Sequence, residues 1–275
     1  MSFPRIALIG CGNMGRSLAG GLVRAGWGAD AVHGVDPEPD QRDKLRLQTG
    51  VNATADGAAA VSRADVVILA VKPQGMKGTV LELAQAVRQR QPLVITVAAG
   101  VRIESIHAWI GASVPLVRAM PNTPALLGAG ATGLYCTAGV SAPQRQMAER
   151  ILGAVGIVQW VEREELLDVI TALSGSGPAY FFLLMEGLIQ AGVELGLTPA
   201  QATALTVQTA LGAARMAATG TEDPMELRRR VTSPGGTTEQ GVRVLEESGL
   251  REILARAVEA ARRRAEEMSG QAGEG

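Results

Sequence analysis

The sequence predicts a doubly wound parallel α/β sheet in its first part and an all-helical second part. Three observations predict this. Five short, β-branched-rich apolar runs lie within the first 120 residues, separated by segments of helical spacing. The pattern G-x-G-x-x-G follows the first run directly and opens the first helical segment. After about residue 161 the β-branched runs vanish, and Ala, Leu, Glu and Arg dominate.

The five runs are RIALIG (5–10), AVHGVD (31–36), ADVVILAV (64–71), PLVITVAAG (92–100) and VPLVRAM (114–120). Near-continuous apolar runs suit strands covered by helices on both faces. Helical spacing marks 16–25, 40–49 and 78–89 between them. In the second part, helices are predicted from 163 through 172 and on to 197, over 199–218, and over 251–268. This organisation predicts a dinucleotide-binding domain over 1–162 and a helical domain over 163–275, with disorder expected only in the tail 269–275. The apolar stretch 179–197 is about as long as a membrane span, yet Glu186, Gln190 and Glu194 recur every four residues and draw a polar stripe down it. A bilayer penalises that stripe, so a helix buried in a core or a subunit interface is expected and no membrane.

Composition excludes several classes of function. A formal net charge of -1 leaves no electrostatic footprint for nucleic acid. Cys11 and Cys136 are the only cysteines, too few for a disulfide framework or a zinc site, and read as small buried hydrophobes. His33 and His107 are the only histidines, so neither a metal site nor a Ser/His/Asp triad is expected. The start MSFPRIALIG lacks the form of a signal peptide, and a cytoplasmic location is expected.

The run GCGNMG places Gly10, Gly12 and Gly15 between strand and helix. The first permits a tight turn, the second lets backbone approach a pyrophosphate, and the third lets helix pack on strand, the Rossmann fingerprint for a dinucleotide. Asp36 ends the second strand, 21 residues past Gly15, where a carboxylate meets the ribose of NAD and repels the 2′-phosphate of NADP. Asp36 also reads as a turn residue before Pro37, and Arg42, Lys44 and Arg46 follow closely as phosphate partners. The cofactor is therefore NADPH or NADH, with the choice open. Three more turns, VKPQ (71–74), AAGV (98–101) and RAMPNTP (118–124), fall at strand ends and outline one crevice.

A nicotinamide cofactor implies hydride transfer. GCGNMG resembles the β-hydroxyacid dehydrogenases, which take a lysine from the helical domain for proton transfer, but the only lysines here are Lys44, Lys72 and Lys77. A substrate needing little acid-base help, such as a cyclic imine, suits the chain better. A dinucleotide-binding sensor without turnover is the alternative from another class. The run VTSPGGTTEQG (231–241) bears on this choice. Thr237 and Gln240 have the spacing of a capping box, predicting a helix start. Ahead of them Pro234, Gly235 and Gly236 permit a turn whose N–H groups face one point, joined by the hydroxyls of Ser233 and Thr238. Such a nest binds a carboxylate or a phosphate without a cationic side chain, although the same residues also suit a plain helix cap.

The run LRRRVTSPGGTTEQGVRVLE (227–246) closely resembles the signature of the pyrroline-5-carboxylate reductases. GCGNMG, VKPQ, VAAGV, RAMPNTP and ALSGSGPAY (172–180) occur in the family's order, so the resemblance covers essentially the whole chain. It implies reduction of 1-pyrroline-5-carboxylate to proline, the last step of proline biosynthesis. By position, Ser233, Gly236, Thr237 and Thr238 would hold the substrate carboxylate and ring nitrogen, with Thr238 the catalytic hydroxyl nearest the imine nitrogen. Ser174 and Gly175 would approach the substrate. Gly12, Asn13 and Met14 would meet the pyrophosphate on the turn shaped by Gly10 and Gly15, Asn52 the adenosine side next to Asp36, and Lys72 and Pro73, following Val71, the cofactor ribose. Ala98, Ala99 and Gly100 would line the same crevice, with Met120 and Asn122 at the nicotinamide. The resemblance also implies a homodimer through helical domains, often in a ring of dimers. Asp36 and Pro37 depart from the small polar or basic residues of NADPH-preferring members.

Overall fold

Residues 3–274 are described in the computed structural model, with side chains through residue 270. The strands are β1 (Ile6–Ile9), β2 (Val32–Val35), β3 (Asn52–Thr54), β4 (Val66–Leu69), β5 (Leu93–Thr96), β6 (Leu116–Met120), β7 (Gly130–Cys136) and β8 (Gly156–Trp160). They form one sheet in the order β3-β2-β1-β4-β5-β6-β7-β8. The five apolar runs are its parallel centre, β2-β1-β4-β5-β6. Three strands lie outside those runs, and β7 pairs antiparallel with β6, so the sheet is mostly rather than wholly parallel.

Six helices cover the sheet: α1 (Asn13–Arg24), α2 (Pro39–Thr49), α3 (Gly57–Ser62), α4 (Pro73–Arg90), α5 (Ile103–Ile110) and α6 (Ala142–Gly153). Period-two alternation makes the strands two-faced. Ile6 and Leu8 of β1 enter one apolar cluster with Leu18 and Leu22 of α1 and Ile151 of α6. Ala7 and Ile9 enter a second cluster with Leu83 of α4 and Ile106 of α5. Burial on both faces explains why the central strands read as unbroken apolar runs.

Beyond β8 the chain is helical: α7 (Leu166–Ile170), α8 (Gly177–Glu194), α9 (Pro199–Thr219), α10 (Pro224–Arg230), α11 (Thr237–Glu247) and α12 (Leu250–Glu274). The helix expected to continue from 163 through 197 is interrupted. Thr171–Gly175 is a π-helical turn, with the Ser176 N–H donating to the Thr171 carbonyl at 2.8 Å. The chain forms two compact units, 1–176 with 260–275 and 177–259. Residues 164–176 therefore pack with the sheet, as does the end of α12, which stays helical where the sequence predicts a disordered tail. Ser269, buried on α12, donates its hydroxyl to Asp168 at 3.3 Å, which gives that end of the helix a docking point.

In the second unit α8 packs along α9, where Gly192 comes close to Ala202. The Thr198 hydroxyl and Gln201 cap α9 reciprocally. The helical run 166–194 contains an 18-residue stretch of mean hydropathy 1.3 and is by length and composition apolar enough to cross a bilayer, but it carries the polar stripe; Gln190 donates to Glu194 at 3.0 Å. Phe181, Phe182, Leu183, Leu184 and Leu188 are exposed on α8 within the single chain.

Candidate functional site

The first β-strand delivers the glycine fingerprint to the sheet's C-terminal edge. Gly10 has φ +101° and passes under Ala70, and a Cβ on Gly15 would lie 2.1 Å from the Gly10 carbonyl oxygen. These two glycines are demanded by the chain's own packing. Around Gly12, by contrast, a Cβ would meet nothing within 4 Å, so this backbone faces open space as a pyrophosphate requires. α1 begins at Asn13 and offers its first N–H groups there. A cleft of about 550 Å3 opens at this point, walled by Gly12, Asn13, Met14, Arg16, Gln41, Lys44, Val71, Lys72, Pro73, Ala98 and Ala99, among others. Lys72 caps α4 and Pro73 is its first residue, so that helix also aims its N-terminus at the cleft.

Three expected cofactor residues stand differently. Asp36 accepts from the Cys11 N–H at 2.8 Å and from the Glu38 N–H at 3.0 Å, so both carboxylate oxygens brace the glycine turn and the loop after β2. Asn52 opens β3 opposite His33 and is not brought to the cleft wall. Gly100, at φ +73°, runs beneath α12, where a Cβ would lie 3.2 Å from Met268 Cβ. Cys11 is fully buried; burial, and then the charge of Asp36, push its thiol up to about 11. The imidazoles are tied down, His33 to the Thr54 hydroxyl at 3.2 Å and His107 to the Val114 carbonyl at 2.9 Å. Among the described residues no three His, Cys, Asp or Glu side chains cluster as metal ligands.

The end of β6 and the π-helical turn meet. The Asn122 amide donates to the Ser174 carbonyl at 3.0 Å and accepts from the Ala131 N–H at 2.9 Å, while Met120 Cε lies 3.1 Å from where a Cβ on Gly175 would sit. Met120 and Asn122 are thus brought together with Ser174 and Gly175. Behind them lies a buried charge cluster that sequence reasoning missed. Arg118 of β6 donates to Glu164 at 3.0 Å and stands 3.6 Å from Asp168. Arg102 donates to Asp168 at 2.9 Å, and Glu164 accepts from the Ile103 N–H at the start of α5. A charged residue inside the apolar run VPLVRAM was the available signal.

The loop 233–236 leads into α11 in the second unit. Gly235 has φ +71°, and the Gly236 N–H donates to the Ser233 carbonyl at 3.0 Å. The capping box expected from Thr237 and Gln240 does not form. The cap is Gly236 in extended conformation, Thr237 is the first helical residue, and Glu239 reaches back to accept from the Gly235 N–H at 2.8 Å. The register is shifted by one residue because glycine takes the cap without a side chain. The N–H groups of Thr237 and Thr238 and the hydroxyls of Ser233, Thr237 and Thr238 then have no acceptor within the chain among the described residues, and face outward at a helix N-terminus. Arg228, Arg229 and Arg230 pair with Glu246, Glu226 and Glu222 on exposed surface.

The chain is similar to known proteins along its whole length. The family described as pyrroline-5-carboxylate reductase dimerisation matches residues 164–268, and that described as NADP oxidoreductase, coenzyme F420-dependent, matches 5–100. The pyrroline-5-carboxylate reductase of Pseudomonas aeruginosa is 48% identical over 274 residues, 100% of both chains. The structure of the Coxiella burnetii pyrroline-5-carboxylate reductase superposes with a TM-score of 0.93 at 45% identity, covering 97% of this chain and 98% of the other. The Plasmodium falciparum pyrroline carboxylate reductase, solved with NADP bound, superposes with a TM-score of 0.85 at 27% identity over 98% and 99%. Identity near one half over the full length of both chains, on one shared fold, leaves a single conclusion: the chain belongs to the pyrroline-5-carboxylate reductase family.

Proposed function

We propose that this enzyme reduces 1-pyrroline-5-carboxylate to L-proline, the last step of proline biosynthesis, with NADPH or NADH as the reductant. The observation that carries the reading is the cradle at the start of α11, where unpartnered N–H groups and three exposed hydroxyls lie within six residues of chain. A carboxylate is the anion such a cradle takes without a cation, and membership of the family names the acid.

The residues fit a dinucleotide, since the backbone at Gly12 is open and two helix N-termini flank the cleft. When bound, the reduced nicotinamide supplies the hydride that adds to the imine carbon. The chain's own part is to bind and orient. Gly12, Asn13 and Met14 would seat the pyrophosphate on the turn that Gly10 and Gly15 make possible, and Lys72 and Pro73 the ribose beyond it, with Val71, Ala98 and Ala99 lining the same cleft. Met120 and Asn122 would bound the nicotinamide end, with Ser174 and Gly175 held against them by the Asn122 amide. Ser233, Gly236 and Thr237 would hold the carboxylate, and the Thr238 hydroxyl would hydrogen-bond the ring nitrogen as it gains a proton. No lysine of the helical region takes part, since the sequence has none beyond Lys77.

The region 163–275 would serve as substrate-binding and dimerisation domain. The exposed apolar face of α8 supports a homodimer, because a helix with so much uncovered apolar surface is stabilised by burial against a partner. A ring of dimers and a cytoplasmic location complete the proposal. The test is the loss of reduced-nicotinamide absorbance when the purified protein meets pyrroline-5-carboxylate. Imine-dependent oxidation with proline as product is expected; protein that binds the nucleotide but leaves it reduced would move the sensor reading forward.

A further inference from the structure

The dinucleotide cleft carries a positive charge that the glycine fingerprint does not require. On the side next to β2 and α2, where this architecture seats the adenosine ribose, Arg16 is half-buried in the first turn of α1. Its Nη1 donates to the Cys11 carbonyl at 2.7 Å and to Gln41 Oε1 at 2.6 Å, and its Nη2 donates to Asn13 Oδ1 at 2.6 Å. All three acceptors are neutral, so the hydrogen bonds orient the guanidinium without neutralising it. A guanidinium has five N–H donors. With three engaged, two remain, the number that one edge of a phosphate accepts in a bidentate pair. Lys44, exposed on α2, walls the same cleft as a second cation.

Asp36 is the group expected to oppose a phosphate here, and its placement weakens that opposition. Its two oxygens accept from the Cys11 and Glu38 N–H groups, it is not part of the cleft wall, and the Arg42 guanidinium donates to its carbonyl at 2.7 Å. The carboxylate serves the turn while the cations face the cleft.

We propose that Arg16 and Lys44 form the receptacle for the 2′-phosphate of the cofactor, so that the chain prefers NADPH to NADH despite Asp36. This rests on the dinucleotide-reductase reading above. Arg16 acts as an oriented fork, and Lys44 as a mobile point charge.

The test is calorimetric binding of 2′,5′-ADP against 5′-AMP, which isolates the 2′-phosphate, alongside NADP+ against NAD+. The wild-type protein is expected to bind 2′,5′-ADP at least about 10-fold tighter than 5′-AMP, with the gap narrowing as salt rises because the contact is charge to charge. Arg16→Gln and Lys44→Gln each narrow the gap, the double variant closes it, and Arg16→Lys restores part of it. Equal binding of the two nucleotides by the wild type overturns the inference alone. So does an equal loss for both nucleotides in Arg16→Gln, which would assign Arg16 to the glycine turn. Should Arg16→Gln melt early, the exposed Lys44→Gln carries the test, and an unchanged gap there sinks the two-cation receptacle. Failure to bind NADP+ and NAD+ alike would sink the dinucleotide reading together with this one.

Discussion

Replacing Asp168 by Asn removes one negative charge from a site where little water can compensate for it. Asp168 is 1% exposed and Arg118 is 2% exposed. The carboxylate accepts from Arg102 at 2.9 Å and from the Ser269 hydroxyl at 3.3 Å, with Arg118 at 3.6 Å. After substitution Arg118 would keep only Glu164, and Arg102 only the exposed Glu165 at 4.0 Å. Breaking a buried pair by removing one partner costs about 3–5 kcal/mol, because the remaining charge is left uncompensated. At about 2–4 °C per kcal/mol for a chain approaching this size, the melting temperature should fall by about 6–20 °C. Glu165→Gln is the control, since Glu165 is 66% exposed and its contribution should stay below about 1 kcal/mol. Thermal unfolding followed by circular dichroism reads both. A drop under about 2 °C for Asp168→Asn, or an equal drop for the two variants, would refute the claim that this cluster fastens 164–176 and the end of α12 to the sheet. A double-mutant cycle with Arg118→Met should further show coupling above about 1 kcal/mol, as expected for residues in contact.

Three other outcomes follow from the site. Thr238→Ala should lower kcat by about 100-fold to 1000-fold, as loss of a hydrogen bond to developing charge does, with the Kd for NADPH within about twofold; an unchanged rate at saturating imine removes Thr238 from the mechanism. Glu239→Gln keeps an acceptor for the Gly235 N–H but removes a negative charge beside the cradle, so KM for the anionic substrate should fall by about 2-fold to 5-fold, and a raised KM would contradict the cradle's position. Because the Cys11 thiol is raised to about 11, an unfolded chain ionises it first as pH rises past about 9. Its contribution to stability is thus complete below pH 9 and lost toward pH 11. Cys11→Ala should flatten stability measured over that window, and an unchanged slope there would oppose the assignment.

The parallel centre of the sheet was legible because both faces are buried, which turns β1 or β4 into an apolar run that stands out against its flanks. The strands outside that centre lack that signature. β3 is the polar NAT, exposed at both ends, and β7, GATGLYC, alternates small and polar residues, with Gly133 giving room to Ile170 and Leu167. The π-helical turn was hidden for another reason: its residues favour helix as much as their neighbours do, and the extra residue per turn is set where Asn122 meets Ser174. The cradle at 233–238 was readable as composition, but its register was not, since Gly236 and Thr237 compete for one cap position. Arg118 and its carboxylates lie 46 and 50 residues apart, beyond any local pattern. The close approach of Met268 to Gly100, from a helix 168 residues further along the chain, is likewise a contact no local pattern shows.

The central claim is hydride transfer to the imine carbon, and the most direct measurement follows the hydrogen itself. NADPH deuterated at the transferable position of the nicotinamide is incubated with the enzyme and 1-pyrroline-5-carboxylate, and the proline formed is analysed by mass spectrometry and NMR. The account predicts one deuterium per proline, carried on ring carbon 5 in a single configuration. Proline without deuterium, deuterium at another carbon, or oxidised cofactor without proline would contradict it.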